Sequence, residues 1–99
     1  AILNPAKAGR TLRAVVTVEL KRHGEPNTRQ FLDLAAKEEA VAQAHAVTGE
    51  VDAVLTLRLR DMEEYDALCG RLFQDRTNVA RYWTMIVIRT AKDETAIPL

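Results

Sequence analysis

The sequence has few cysteines, no excess of charge of one sign and no long apolar run. Its one cysteine, Cys69, has no partner within the 99 residues, so the chain forms no internal disulfide and fits a reducing compartment. Fourteen basic and fourteen acidic side chains cancel, so no excess positive charge draws the chain to nucleic acid. The longest apolar runs, such as residues 85–88, fall far short of the roughly 20 residues that cross a bilayer. These absences predict a soluble, cytoplasmic protein.

The chain is also poor in the residues that metal sites and enzymes need. His45 has no second ligand at metal-binding spacing, because His23 falls in another loop and Cys69 falls on the apolar stripe of a predicted helix. We interpret His45 as a hydrogen-bonded residue near a hairpin and Cys69 as a packing residue. No metal and no cofactor is expected.

Regular patterning is what the chain does contain. Hydrophobic residues make up 47% of it and charged residues 28%, the balance of one folded domain with a single core. Apolar and polar residues alternate over residues 12–21, which predicts a half-buried strand. The helical spacing of apolar residues that follows predicts a helix capped by Asn27 or Thr28 and ending near residues 37–39.

The second half of the chain gives the order strand, strand, helix and strand. Residues 41–48 and 51–60 are predicted to form a hairpin, because Gly49-Glu50 suits a tight two-residue corner. Asp61 is predicted to begin a second helix, with Glu64 completing a capping box. A last strand is predicted from about residue 80 to residue 91.

The resulting order, β-α-β-β-α-β, predicts an α+β fold of the ferredoxin-like type. Two helices then cover one face of a four-stranded antiparallel sheet. The other face carries side chains that are too apolar for a sheet face left in water. We therefore expect a second copy to cover it, as in dimeric α+β barrels, through an interface formed by Val15, Val54, Trp83 and Val87.

Four segments are notable for their order along the chain. They are Leu3-Asn4-Pro5 with Gly9, His45-x-Val47-Thr48-Gly49-Glu50-x-Asp52, Asp61-Met62, and Arg89-Thr90-x-Lys92-Asp93-Glu94-Thr95-Ala96-x-Pro98-Leu99. No single segment is decisive. Together they resemble the C-terminal ligand-binding (RAM) domain of the Lrp/AsnC family of prokaryotic transcriptional regulators, and the resemblance covers nearly the whole chain.

This resemblance implies an effector-binding and oligomerisation domain without catalytic activity. In the family the sheets of two subunits pair, four dimers commonly form an octamer, and an amino acid binds between dimers. The residues that match the effector site are Val47, Thr48, Gly49 and Asp52, joined by Thr84, Met85 and Ile86 of the same or a neighbouring subunit. DNA is contacted only by a helix-turn-helix domain, which is absent here.

The resemblance also predicts how the chain is divided. Residues 1–11 are expected to be a linker from the DNA-binding domain, and residues 12–99 the effector domain. The chain is either part of a longer regulator or a stand-alone effector domain, and its start at Ala1 rather than methionine favours the first. One departure is the bulky pair Tyr82-Trp83, where the family often has small hydroxyl residues; it is expected to narrow the pocket, change its ligand or abolish binding.

Two other functions fit the same architecture. An enzyme of the dimeric α+β barrel type, such as a monooxygenase or isomerase, would need polar groups between the sheet and the helices. The rows over residues 12–20 and 51–59 that face the helices are almost purely aliphatic. An ACT-like amino-acid-binding domain of a metabolic enzyme would share the sensing role but not the DNA partner.

Overall fold

Four strands and two helices follow one another in the predicted order along residues 9–94, the part of the chain that the structure, a computed structural model, describes. The sheet is antiparallel with the strand order β2-β3-β1-β4, which confirms the α+β, ferredoxin-like prediction. A short 3-10 turn, Asp75–Thr77, precedes the last strand. The elements are β1 (Leu12–Leu20), α1 (Glu25–Ala36), β2 (Val41–Ala46), β3 (Ala53–Leu59), α2 (Met62–Leu72) and β4 (Val79–Ile86).

The core lies between the sheet and the two helices. Alternate side chains of β1 and β3 point into it. Helices α1 and α2 cover the other side of the core and contribute Phe31 and Leu68 to it. Fully burying one leucine or phenylalanine stabilises the fold by about 1.5–3 kcal/mol. The helix-facing side chains of the two central strands are buried, as the alternation predicts: Ala14, Val16, Val18, Leu20, Ala53, Leu55, Leu57 and Leu59.

Helix α1 begins earlier than its sequence predicts. Asn27 and Thr28 do not cap it from outside; they lie within its first turn, and their side chains donate to the carbonyls of His23 and Gly24. Gly24 occupies the N-cap position with φ 102°, which glycine adopts without strain, and Pro26 lies in the first turn. The proline fixes a helical φ angle where no backbone donor is needed, so the helix starts at Glu25.

The C-terminal end of β4 and the β2–β3 hairpin also differ from the prediction. β4 ends at Ile86 rather than at residue 91, because its partner β1 begins at Leu12 and offers little backbone to pair with beyond Val87. β2 and β3 are joined by residues 47–52 instead of a two-residue corner. The strands are therefore shorter, and the connecting loop longer, than alternation alone indicates.

Asp61 caps α2 as predicted, but only half of the capping box forms. Its carboxylate accepts a hydrogen bond of 2.8 Å from the backbone N–H of Glu64. The Glu64 carboxylate does not accept a hydrogen bond from the backbone N–H of Asp61, as a complete capping box requires. It accepts instead from the backbone N–H of Arg60 and from the guanidinium of Arg10. A tertiary contact thus replaces the reciprocal local bond.

Arg10 fixes the segment that enters β1. Its side chain is only 3% exposed and donates to both carboxylate oxygens of Glu64, with Nη2 at 2.9 Å from Oε2 and Nε at 3.3 Å from Oε1. Glu39 lies farther, at 3.5 Å from Nη2. The hydrogen bonds from Arg10 lower the pKa of Glu64 from its ordinary value, although its burial acts against them. The pair joins the start of the described chain to the first turn of α2.

Candidate functional site

The loop between β2 and β3 forms an exposed corner at one end of the sheet. We call residues 47–52 the corner loop. The backbone N–H of Val47 donates to the carbonyl of Asp52 at 3.1 Å, and the N–H of Asp52 donates to the carbonyl of Val18 at 2.8 Å, so both ends of the loop are fixed. Gly49 has φ 125°, a conformation that favours glycine, and Thr48 and Gly49 are exposed. The middle of the loop is open to solvent while its ends are held.

The Asp52 carboxylate supports the corner loop. Its Oδ2 accepts from the backbone N–H of Leu20 at 2.8 Å, and its Oδ1 lies 3.2 Å from Nδ1 of His23. The side chain is 24% exposed, and an ionised carboxylate offers about four lone-pair sites, so it can accept further hydrogen bonds. The hydrogen bond that we expected of His45 is made by His23; His45 is exposed and pairs in register with Val54.

Because Asp52 ties the corner loop to β1, Asp52→Ala is expected to lower the free energy of unfolding by about 1–2 kcal/mol. The loss comes from leaving the Leu20 N–H without its acceptor. Asp52→Asn keeps an acceptor oxygen and should cost less than half as much. Urea denaturation of the two variants measures the difference. Equal stability of Asp52→Ala and the unaltered chain would contradict a supporting role for this carboxylate.

The residues predicted for the site on the last strand do not lie beside the corner loop within one chain. β4 and β2 form opposite edges of the sheet, with β3 and β1 between them. Thr84 faces the helices, where its hydroxyl is 2.6 Å from the Tyr65 hydroxyl, and Ile86 shares that face. Met85 lies on the opposite face, paired with Val15. A site that contains both groups of residues requires a second chain.

A cleft of about 340 Å³ does adjoin the corner loop on the helix-free face. We call it the corner cleft. Its walls come from the corner loop, from β1 and from the first half of β4: Thr17, Glu19, Glu50, Val51, Arg81 and Trp83. Arg81 and Glu19 form an ion pair with 3.3 Å between Nε and Oε2. A pocket of this size is within the range that holds small ligands.

The sequence-based site prediction missed most of this cleft. It assigned Trp83 to a dimer interface and Thr48 and Gly49 to the effector, but it left out Glu19, Glu50 and Arg81. Strand alternation places Glu19 on the helix-free face, and it could have found that residue. Alternation from Trp83 likewise places Arg81 on that face. The β-bulge at Ala80 affects only the preceding residue, Val79, which it turns into the core.

The helix-free face, which we call the open face, is apolar in its middle and charged at both ends. Its middle consists of Val15, Thr17, Val54, Thr56, Trp83 and Met85. Trp83 is 45% exposed and Met85 is exposed as well. At the end away from the corner loop, Asp93 pairs with Arg13 at 2.6 Å and lies 3.9 Å from Arg58. Three of the four residues predicted for the interface, Val15, Val54 and Trp83, lie on this face. Val87 follows the end of β4, where its backbone N–H donates to the carbonyl of Arg13.

Neither a metal site nor a membrane-spanning helix is found within residues 9–94. No cluster of three or more histidine, cysteine, aspartate or glutamate residues in this part of the chain is arranged to hold a metal ion. Neither α1 nor α2 has the length and apolar character that spanning a bilayer requires. We take the corner loop and its cleft as the candidate site, because a cleft of about 340 Å³ adjoins the loop that carries Thr48, Gly49 and Asp52.

Comparison with known proteins agrees with this architecture. A model of the Lrp/AsnC ligand binding domain matches residues 13–97. An uncharacterised HTH-type transcriptional regulator of Sinorhizobium fredii is 29% identical over 98 residues, which are 99% of this chain and 58% of that protein. This chain thus spans little more than half the length of that relative.

Two solved structures share the fold. The crystal structure of an AsnC family transcriptional regulator from Agrobacterium tumefaciens superposes with a TM-score of 0.82 at 20% identity, over 99% of this chain and 63% of that one. A transcriptional regulator from Neisseria meningitidis, solved as a complex with L-Met, superposes with a TM-score of 0.80 at 23% identity over the same shares of the two chains. In both, the match is to part of a longer chain.

Proposed function

This chain belongs to the Lrp/AsnC ligand-binding domain family, and on that premise we propose that it binds an amino acid effector and assembles through its open face. The observation that carries the proposal is the corner loop, which offers the exposed backbone of Thr48 and Gly49 beside the carboxylate of Asp52. An amino acid presents a carboxylate and an ammonium group close together. The loop supplies both donors and an acceptor for them.

In the proposed complex, the effector carboxylate accepts from the N–H groups of Thr48 and Gly49, with Val47 beside them. The effector ammonium donates to the lone pairs of Asp52 that Leu20 and His23 leave free. Thr84, Met85 and Ile86 come from a neighbouring subunit, because the sheet separates them from the corner loop of their own chain. Their side chains alternate between the two faces of β4, so together they meet the effector along the free edge of that strand. The site then lies between dimers. The L-Met complex of the Neisseria meningitidis regulator supports an amino acid as the class of effector.

Assembly begins with a second copy that covers the open face. An interface through Val15, Val54, Trp83 and Val87 removes the apolar middle of this face from water. Stable interfaces bury roughly 800 Å² per partner, which is the area that the proposed dimer would have to bury. Four dimers closing into an octamer would bring the corner loop of one dimer against β4 of the next.

The role of effector binding is regulation rather than catalysis. An effector that binds between dimers favours the assembly in which it has the higher affinity, and so changes how attached DNA-binding domains are placed. The HTH-type relative from Sinorhizobium fredii supports such a domain in the whole protein. Residues 1–11 would then link the two domains; of these, only residues 9–11 are described by the structure. Leu3-Asn4-Pro5 and the end of the last family segment, residues 95–99, also lie outside the described residues.

The proposal is tested by measuring thermal denaturation and light-scattering molar mass with each of the twenty amino acids. An effector at 100 times its dissociation constant should raise the free energy of unfolding by about 2.7 kcal/mol. We expect one or two amino acids to do so and to change the distribution of oligomers. Asp52→Asn, which retains the support of the loop but lowers its negative charge, should weaken that response. Indifference to all twenty amino acids would overturn the proposal.

A further inference from the structure

We propose that the chain has a second ligand site, a pocket beside α1 in which Arg22 and Arg76 bind the phosphate group of a small phosphate monoester. We call it the arginine pocket. It lies on the side of the sheet that carries the helices, and it shares no residue with the proposed effector site or with the open face. Its lining residues are Arg22, Asn27, Gln30, Phe31, Leu34, Arg76, Thr77 and Asn78.

Three separate segments form the arginine pocket. Helix α1 contributes one stripe of side chains at helical spacing, from Asn27 to Leu34, and this stripe includes the buried Phe31. The turn that follows β1 contributes Arg22, and the 3-10 turn before β4 contributes Arg76. The pocket therefore depends on the tertiary fold and is complete within a single chain.

Asn78 joins the two turns that carry the arginines. Its Oδ1 accepts from the backbone N–H of Arg22 at 2.8 Å, and its Nδ2 donates to the carbonyl of Arg22 at 2.9 Å. Its own carbonyl accepts from the N–H of Lys21 at 2.8 Å. The φ angle of 73° that this arrangement needs lies in the left-handed region, which asparagine adopts more readily than most residues. The backbone of Arg22 is thus fixed close to the turn that contains Arg76.

The arginine pocket has two positive charges and no acid in its lining. Within residues 9–94 no salt bridge joins Arg22 or Arg76 to a carboxylate, although salt bridges neutralise several other arginines of this region. Asp75, which precedes Arg76, pairs with Lys21 instead. Arg76 makes one hydrogen bond, from Nη2 to the carbonyl of Gly70 at 2.9 Å, so its other nitrogens can still donate. Two arginines without a counter-charge favour an anion that carries two charges.

The size of the arginine pocket suits one phosphate group and excludes a whole amino acid. Its volume is about 40 Å³, and a water molecule needs about 10–15 Å³, so the pocket holds about three oxygen-sized atoms. The terminal oxygens of a phosphate monoester match that number, while the ester oxygen and the rest of the molecule remain outside. A monoester carries about two negative charges at neutral pH, and guanidinium groups bind its oxygens in pairs. A carboxylate would neutralise only one of the two arginines.

The test compares anions of different charge by calorimetric titration of the full chain at constant ionic strength. The probes are inorganic phosphate and glycerol phosphate, with acetate as the singly charged reference. We expect both phosphates to bind at least about tenfold more tightly than acetate, because only they can neutralise both arginines.

Variants locate the binding site. Arg22→Gln and Arg76→Gln should each lower the affinity for both phosphates by at least about tenfold, because each removes one charge and its donors. Both side chains are exposed, so the variants should remain folded, which circular dichroism checks. Arg89→Gln removes an exposed arginine beyond the far end of β4 and serves as the matched control that should leave the affinity unchanged.

Several results would overturn the inference. Equal affinities for phosphate and acetate, or phosphate affinities that neither Arg22→Gln nor Arg76→Gln lowers, would show that the pocket does not hold a phosphate group. Binding of inorganic phosphate without glycerol phosphate would indicate an adventitious ion only. Tighter binding of dimethyl phosphate, a diester with one charge, than of glycerol phosphate would indicate a nucleic-acid backbone instead of a small monoester. None of these results concerns amino acid binding at the corner loop, so the proposed function is tested separately.

Discussion

Glu64→Gln should lower the free energy of unfolding by about 3 kcal/mol, although the change replaces one oxygen with an amide group. The Arg10 side chain is only 3% exposed, and Glu64 accepts hydrogen bonds from it through both oxygens. Removing one charge of a buried pair costs about 3–5 kcal/mol, because the remaining charge stays buried and uncompensated. Glu64 keeps some exposure, so we expect the low end of that range. Urea denaturation measures the change.

The matched control is Glu39→Gln, which changes another acid that contacts the same guanidinium. Glu39 is 68% exposed and lies at 3.5 Å, so its loss should cost less than about 1 kcal/mol. If the two glutamine variants proved equally stable, the Arg10–Glu64 pair would not stabilise the fold as we infer.

The same ion pair predicts a dependence of stability on pH. Hydrogen bonds from Arg10 hold the pKa of Glu64 below its ordinary value of 4.5. A carboxyl whose pKa is lower in the folded state stabilises the fold fully above its ordinary pKa and loses that contribution as the pH falls toward the lowered pKa. Stability should therefore decline below about pH 4.5. Glu64→Gln should remove this part of the decline, which parallel denaturation curves from pH 3 to pH 7 would detect.

Val15→Asp should convert the proposed dimer into a monomer of about 11.1 kDa in light scattering. Val15 lies on the central strand β1 in the middle of the open face, between Thr56 and Met85. In the proposed dimer a carboxylate there loses its water and faces apolar side chains of the partner, at a cost of several kcal/mol. That cost is large enough to change a dissociation constant by more than a hundredfold.

Two further variants separate loss of the interface from loss of the fold. Met85→Asp lies on the edge strand β4, where the single chain leaves the residue exposed, so it should dissociate the dimer while the chain stays folded. Ile88→Asp is the matched control, because Ile88 is 97% exposed and follows β4. A dimer that survives both Val15→Asp and Met85→Asp would refute the open-face interface.

The fold was predictable because its signals are local. The alternation along β1 and β3 determines which side chains face the helices, and Asp61 carries its own capping oxygen. The predicted boundaries and caps were wrong where a second signal, local or distant, outweighed the one that the prediction used. Asn27 and Thr28 resemble caps, but Pro26 and Gly24 move the helix start ahead of them. Glu64 has the spacing of a capping box, but Arg10 takes its carboxylate.

The site was predictable only in part, for the same physical reason. The Thr48-Gly49 corner and Asp52 lie within five residues of one another, so the sequence alone predicts that they are close together. The corner cleft joins Glu50 to Arg81 and Trp83 across the sheet, and that proximity depends on the strand order and on the register between β1 and β4.

The sequence by itself determined the order of the elements, the apolar character of both sheet faces, and the neutral overall charge. Each of these follows from the type and spacing of residues along the chain. Only the tertiary structure decided that Asp52 supports β1, that the Thr84 hydroxyl meets the Tyr65 hydroxyl, and that Arg10 is buried against Glu64. These contacts join residues that are distant in sequence, and which of several possible partners a polar side chain reaches is settled when the packed core brings the strands and helices together.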